Sequence, residues 1–134
     1  MTKKVVLSSL KANLSREKNG DWVPYPSWPG VSFNVSALTD PAYESARDLM
    51  FKTLAEKYGD ERIPREVLSV ELGKLYSEHI LHDWRGFDVE YTADVARETL
   101  GDPEHRAVVS AVEFCASKLS EIEPQFTKAE EGNS

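Results

Sequence analysis

The chain has 134 residues, 40% of them hydrophobic, which is the size of one domain able to bury about two-thirds of its unfolded surface around a single core. Lys and Arg number 16 against 23 Asp and Glu, a net charge of -7, and with the basic residues not expected to gather on one face a nucleic-acid backbone is not the expected partner. No apolar run approaches the roughly 18 residues of a membrane span, the start MTKKVVLSSLKANL is too short in apolar residues for a signal peptide, and a single cysteine, Cys115, excludes an internal disulfide and any multi-cysteine metal site.

In chain order, Leu7, Leu10 and Leu14 recur at helical spacing and suggest a short helix or a docked arm. Val31, Phe33 and Val35 alternate with Ser32, Asn34 and Ser36, the pattern of a half-buried strand. Trp22 to Tyr25 is its expected hairpin partner across the turn PSWPG, with Pro24 and Pro26 confining that strand to an edge. After residue 40 the pattern turns helical. Asp40-Pro41 and Asp102-Pro103 each pair an N-cap acceptor with a proline whose missing N–H costs nothing in a first helical turn, and Pro64 plays the same part after GDERI.

Four helices are therefore expected: about Pro41 to Tyr58, stopped by Gly59; Pro64 to Trp84; Thr92 to Leu100; and Pro103 to Ile122, halted before Pro124. The second is apolar over most of its circumference, with only Glu71, Lys74 and Glu78 as a polar stripe, and is expected to sit centrally. The fold class expected is mainly α: a compact bundle of about four helices with a small N-terminal β-hairpin. One domain spans 1–126, with an arm and hairpin over 1–39 and the helical part over 40–126. The polar end TKAEEGNS makes 127–134 a flexible tail.

The segment EHILHDWRGFDVEYTADV, Glu78 to Val95, concentrates polar and aromatic residues and is the natural place to look for chemistry. On a helix His79, His82 and Asp83 would lie three and four residues apart, a spacing that brings ligands together. A catalytic metal needs three ligands and an open position, and His105 has no motif around it, so no metal or other cofactor is expected. Glu78 and Asp83 fall on different helix faces and cannot act as an acid–base pair. Nucleotide, hydrolase and zinc-protease motifs are absent. The structural alternative has Trp84 anchoring the end of the core helix, Gly86 terminating it, FDVEY crossing as a linker and Thr92 capping the next helix.

Taken in succession, these features resemble the tail assembly chaperones of long-tailed bacteriophages. The resemblance rests on Gly20, Trp22, Val23 and Pro26; Pro41, Ala42, Tyr43 and Ala46; Leu81, Trp84 and Gly86; Tyr91, Thr92, Ala96, Leu100, Asp102 and Pro103; and Phe114, in order over about residues 10 to 126. Phe87-Asp88-Val89 departs from the longer D-E-D-G turn of that pattern, and Thr99 from a second leucine. The resemblance implies a protein that is not an enzyme. It would coat the long coiled-coil tape measure protein in the host bacterial cytoplasm and be absent from the mature virion. A frameshift-extended form would recruit the tail tube protein, and Glu131-Gly132-Asn133 permits codons on which a ribosome slips back one base.

The alternative is a small acidic binding or inhibitory module of antitoxin or immunity type. Its mark would be carboxylates gathered on one face, whereas GDER, EIE and KAEE are scattered among elements. Self-association or partner binding is expected through the last helix, where Val108, Val112, Cys115, Leu119 and Ile122 repeat in steps of four and three like a helix-pairing seam, so the chain is expected to form a homo-oligomer. The same face could equally pack into the monomer core.

Overall fold

A computed structural model describes residues 2–128. A 3-10 turn at Leu7–Leu10 precedes α1 (Leu14–Asn19), which Asn13 caps by accepting the Arg16 N–H at 3.1 Å. The hairpin forms where the alternation places it, from β1 (Asp21–Pro24) and β2 (Ser32–Val35). Val31, Phe33 and Val35 point inward and are buried, while Pro24 sits at the end of β1, an edge strand whose outer side needs no donor from it.

The helical starts at Asp40, Thr92 and Asp102 carry their expected caps, whereas the helix from Arg65 has Pro64 itself at the cap position and no side chain accepting there. In α2 (Pro41–Tyr58) the Asp40 carboxylate accepts the Tyr43 N–H at 2.9 Å, and Gly59 ends the helix at φ +57°. In α4 (Ala93–Leu100) Thr92 Oγ1 accepts the Val95 N–H at 3.1 Å. Asp102 accepts the Glu104 N–H at 2.9 Å and opens a 3-10 turn, Pro103–His105, that runs into α5 (Arg106–Leu119). Each is a local satisfaction of the donors that a helix start leaves unpaired.

The expected fold class needs correction, because the molecule is mixed α and β rather than a four-helix bundle with a hairpin. The second helix, α3 (Arg65–His79), stops five residues short of Trp84, and Leu81–Arg85 forms β3, which pairs antiparallel with β2 to complete a three-stranded sheet ordered β1-β2-β3. The physical reason is a register shift between Asn34 and Val35. Phe33 faces Trp84 and Asn34 faces Asp83, but Val35 faces Leu81, so His82 is the extra residue. In a regular strand Leu81 and Trp84, three apart, would point to opposite faces; one looped-out residue puts both on the core side. That three-residue spacing reads as helical in the sequence. Gly86 does take a positive φ, +96°, but it follows a strand, and a Cβ there would collide with the Gly30 carbonyl. The last helix likewise ends at Leu119 rather than Ile122.

The inner face of the sheet packs on α5, which with α4 packs on α3, and α2 packs chiefly on the far side of α3. The core runs through these layers from Phe33 and Val35 across Val112 and Cys115 to Leu100 and Tyr76, all fully or nearly fully buried. α3 is central, as its all-round apolar character implies. The two ends of the described chain also meet. Val5 and Phe126 form an isolated antiparallel bridge, with Val6 N–H donating to the Gln125 carbonyl at 2.7 Å and Thr127 N–H to the Lys4 carbonyl at 2.8 Å. Thr127, expected in a flexible tail, is thus paired; residues 129–134, including Glu131-Gly132-Asn133, lie outside the described residues. Among the described residues no helix is long and apolar enough to cross a membrane.

Gly73 allows α3 to approach its neighbours, since a Cβ there would overlap the Leu100 carbonyl and press on Val109 Cγ2 at 3.1 Å. Exposed mid-helix glycine replaced by alanine stabilises by about 0.8–1 kcal/mol, whereas overpacking of a tight core costs about 1–3 kcal/mol. With backbone as the obstacle the clash dominates, so Gly73→Ala is expected to lower the free energy of unfolding by about 2 kcal/mol in denaturant titration.

Candidate functional site

The structure separates the residues of the Glu78–Val95 segment. His79 ends α3 half-buried, with Nε2 3.9 Å from a Glu78 carboxylate oxygen. Asp83 lies in β3, where Oδ1 accepts the Trp84 N–H at 2.8 Å. His82, the extra residue of the bulge, turns to Ser36, with Nε2 2.6 Å from Oγ. Helical spacing no longer relates the three, and among the described residues no three His, Cys, Asp or Glu side chains are grouped to hold a metal.

The Ser36–His82 pair has a structural use. Ser36 is 2% exposed, and its Oγ lies 3.3 Å from the Lys18 carbonyl, which accepts from it, and 2.6 Å from His82 Nε2. Beside it the Ala37 N–H donates to the Glu17 carbonyl at 2.9 Å, and the Thr39 hydroxyl donates to the Glu17 carboxylate at 2.8 Å. These bonds fasten α1 to the end of β2. A buried hydroxyl already donating to a carbonyl is not placed to attack a substrate.

The seam residues of α5 divide. Val112, Cys115 and Leu119 are buried in the chain's own core, Val108 is half-buried at its edge, and Ile122, beyond the helix, is 40% exposed. The face expected to pair with a second copy is therefore mostly covered by the sheet and α3. Cys115 Sγ lies 3.7 Å from the Val23 carbonyl, and burial pushes its thiol up to about 11 from an ordinary 9.0.

Two apolar hollows lie open to solvent among the described residues. The first is a groove of about 440 Å³ between α2 and α3, lined by Ala46, Leu49, Met50, Thr53, Leu54 and Leu75 and bounded by Lys57 and Glu71. Its α2 residues recur at three- and four-residue steps, so it follows the helix for about three turns, roughly 16 Å at about 1.5 Å per residue. Leu49 is 64% exposed, and Phe51 adds 41% on the same helix. The second is a cleft of about 430 Å³ where Trp84, Phe87, Val89, Val95 and Val108 meet. Trp84 Nε1 donates to the Val89 carbonyl at 2.9 Å, folding the loop after β3 back over the strand, and Phe87 stands edge-on to Trp84 at 5.3 Å between ring centres. Motif reading missed both surfaces. For the groove the available signal was Leu49 and Phe51, which stand off the buried face of α2 marked by Tyr43, Met50 and Leu54.

Leu119→Asp is expected to unfold the chain at every protein concentration, as judged by circular dichroism, because it buries an unpaired carboxylate in the core. The fold favours the neutral Cys115 thiol, so its contribution to stability is complete below the ordinary value of 9.0 and is lost as pH rises through about 11. Cys115→Ala is expected to flatten the fall of stability over that range in denaturant titrations. No family model matches the chain, and neither a curated protein nor a solved structure matches it.

Proposed function

We propose that the chain is a tail assembly chaperone of a long-tailed bacteriophage, binding the tape measure protein in the host cytoplasm and keeping it dispersed until the tail tube forms around it. The single observation that carries this reading is the open groove between α2 and α3. Its apolar floor, followed over about three turns and bounded by one cation and one anion, suits an amphipathic helix presenting apolar residues at i, i+3 or i+4, and i+7. A long coiled-coil protein offers such helices repeatedly, with charges of both signs beside the apolar stripe. The net charge of -7 supports the dispersing role, because a coated complex would carry like charges that repel.

The sequence resemblance supports the reading from a second side. Several of its matched residues lie at element boundaries: Gly20 ends α1, Pro41 opens α2, Gly86 follows β3, Thr92 caps α4 and Asp102-Pro103 leads into α5. Leu81 and Trp84, which the pattern places at a helix end, lie instead in β3, so the groove and not the fold carries the reading. Recruitment of tail tube subunits by a frameshift-extended form belongs to the same proposal and concerns residues beyond those described.

The test is co-expression with the long coiled-coil protein that this reading requires in the neighbouring genes; a neighbourhood without one would contradict the reading. The wild-type chain is expected to hold that protein in the soluble fraction and to co-purify with it. Leu49→Asp, at an exposed position, is expected to keep the fold and to reduce co-purification at least tenfold, about 1.4 kcal/mol in binding. A folded Leu49→Asp chain that binds as the wild type does would remove the groove from the proposal.

A further inference from the structure

The arm and the cleft carry opposite charge. Residues 83–105, which include both the cleft loop and α4, hold seven carboxylates and two arginines, so most of the chain's net charge of -7 arises there. Arg85 is stacked on Trp22, with its guanidinium 3.8 Å from the ring centre across the sheet. Asp88 and Glu98 stand on the rim of the cleft with His105, and an adjoining hollow that shares Trp84, Phe87 and Val89 adds Asp83 and Glu90 together with Arg85. The four carboxylates border exposed apolar surface, with Val89 48% exposed.

The N-terminal arm is the reverse. Residues 2–18 contain Lys3, Lys4, Lys11, Arg16 and Lys18 against Glu17 alone. Glu17 is buried and held by Thr39, and Arg16 is paired with Asp21 at 2.8 Å, but the four lysines form no ion pair among the described residues. Between these cations Leu7 is 81% exposed and Leu14 73%. The arm is held in place, by its bridge to residues 125–127 and by the bonds that fasten α1. The arm therefore presents large apolar side chains to water among cations unpaired within the described residues.

We infer that the arm of one copy occupies the acidic cleft of the next, giving a head-to-tail oligomer. The cleft opens at the start of α5, around Val108, whereas the arm is tied to the chain that leaves the other end of that helix. From Val108 to Leu119 the helix advances about 16 Å, which places the two surfaces at opposite ends of α5 and favours contact between copies. Like surfaces do not pair, because arm against arm would oppose lysines and cleft against cleft would oppose carboxylates. The contact joins unlike surfaces, so it closes as a reciprocal pair or a larger ring, or adds subunits in an open chain. The groove between α2 and α3, with one charge of each sign at its edges, takes no part. This inference stands apart from the tail-assembly reading and needs no second protein.

Sedimentation of the full chain over a concentration series tests it. The wild type is expected to reach at least twice the monomer mass, with association weakened by added salt, which screens the contact. Leu7→Ser/Leu14→Ser removes the arm's apolar anchors, and Val89→Lys/Glu98→Lys reverses the cleft; each is expected to be folded by circular dichroism and monomeric. Glu98→Lys alone replaces the cleft double variant if that one loses the wild-type spectrum. Mixed in equal amounts, the two variants are expected to form a dimer and nothing larger, since one supplies an intact cleft and the other an intact arm. A wild type that stays monomeric throughout, variants that associate as it does, or a mixture that stays monomeric would each overturn the inference.

Discussion

The single looped-out residue at His82 governs this structure. Leu81 and Trp84 must both be buried, yet a regular strand would send them to opposite faces, and continuing α3 through them would leave β2 without a partner on that side. The bulge resolves the conflict by moving His82 out of register, and the imidazole pairs with the Ser36 hydroxyl. Phe33, Val35, Leu81 and Trp84 then form one continuous inner face, on which each large apolar side chain contributes about 1.5–3 kcal/mol by leaving water.

Much of the remaining architecture depends on that pairing. Only with β3 beside β2 does Gly86 meet Gly30 and turn the chain back, so that Phe87 stacks against Trp84 and Phe33 and the Val89 carbonyl receives the indole N–H. That return creates the acidic cleft. It also leaves α5 to cover the sheet and α3 to cover α5, with Gly73 admitting the α4 backbone. α2 is the outermost layer and buries only Tyr43, Met50 and Leu54 along its length, which is why its remaining apolar residues stay available to a partner.

Local signals were legible in the sequence where local chemistry decides the outcome. Asp40, Thr92 and Asp102 cap because their carboxylates or hydroxyl reach donors two or three residues away, whatever the rest of the chain does. The alternation at Val31, Phe33 and Val35 was legible for the same reason. The end of α3 was not, because Ile80 carries no glycine or proline stop and the residues beyond it keep a helix-like three-residue spacing; pairing with a strand some fifty residues earlier overrides the local preference. The open surfaces were hidden too. Leu49 forms part of a groove wall only once α3 is beside it, and Asp83, Asp88, Glu90 and Glu98 border one apolar cleft and its neighbouring hollow only through the fold. The α5 seam reads as an interface or as core equally well, and the sheet makes most of it core.

Cross-strand proton contacts measured by nuclear magnetic resonance test the central claim directly. The account predicts close backbone contacts between Phe33 and Trp84 and between Val35 and Leu81, with His82 lacking a partner in the ladder. Sequential helical contacts running unbroken from Arg65 through Trp84, with none across to β2, would contradict it.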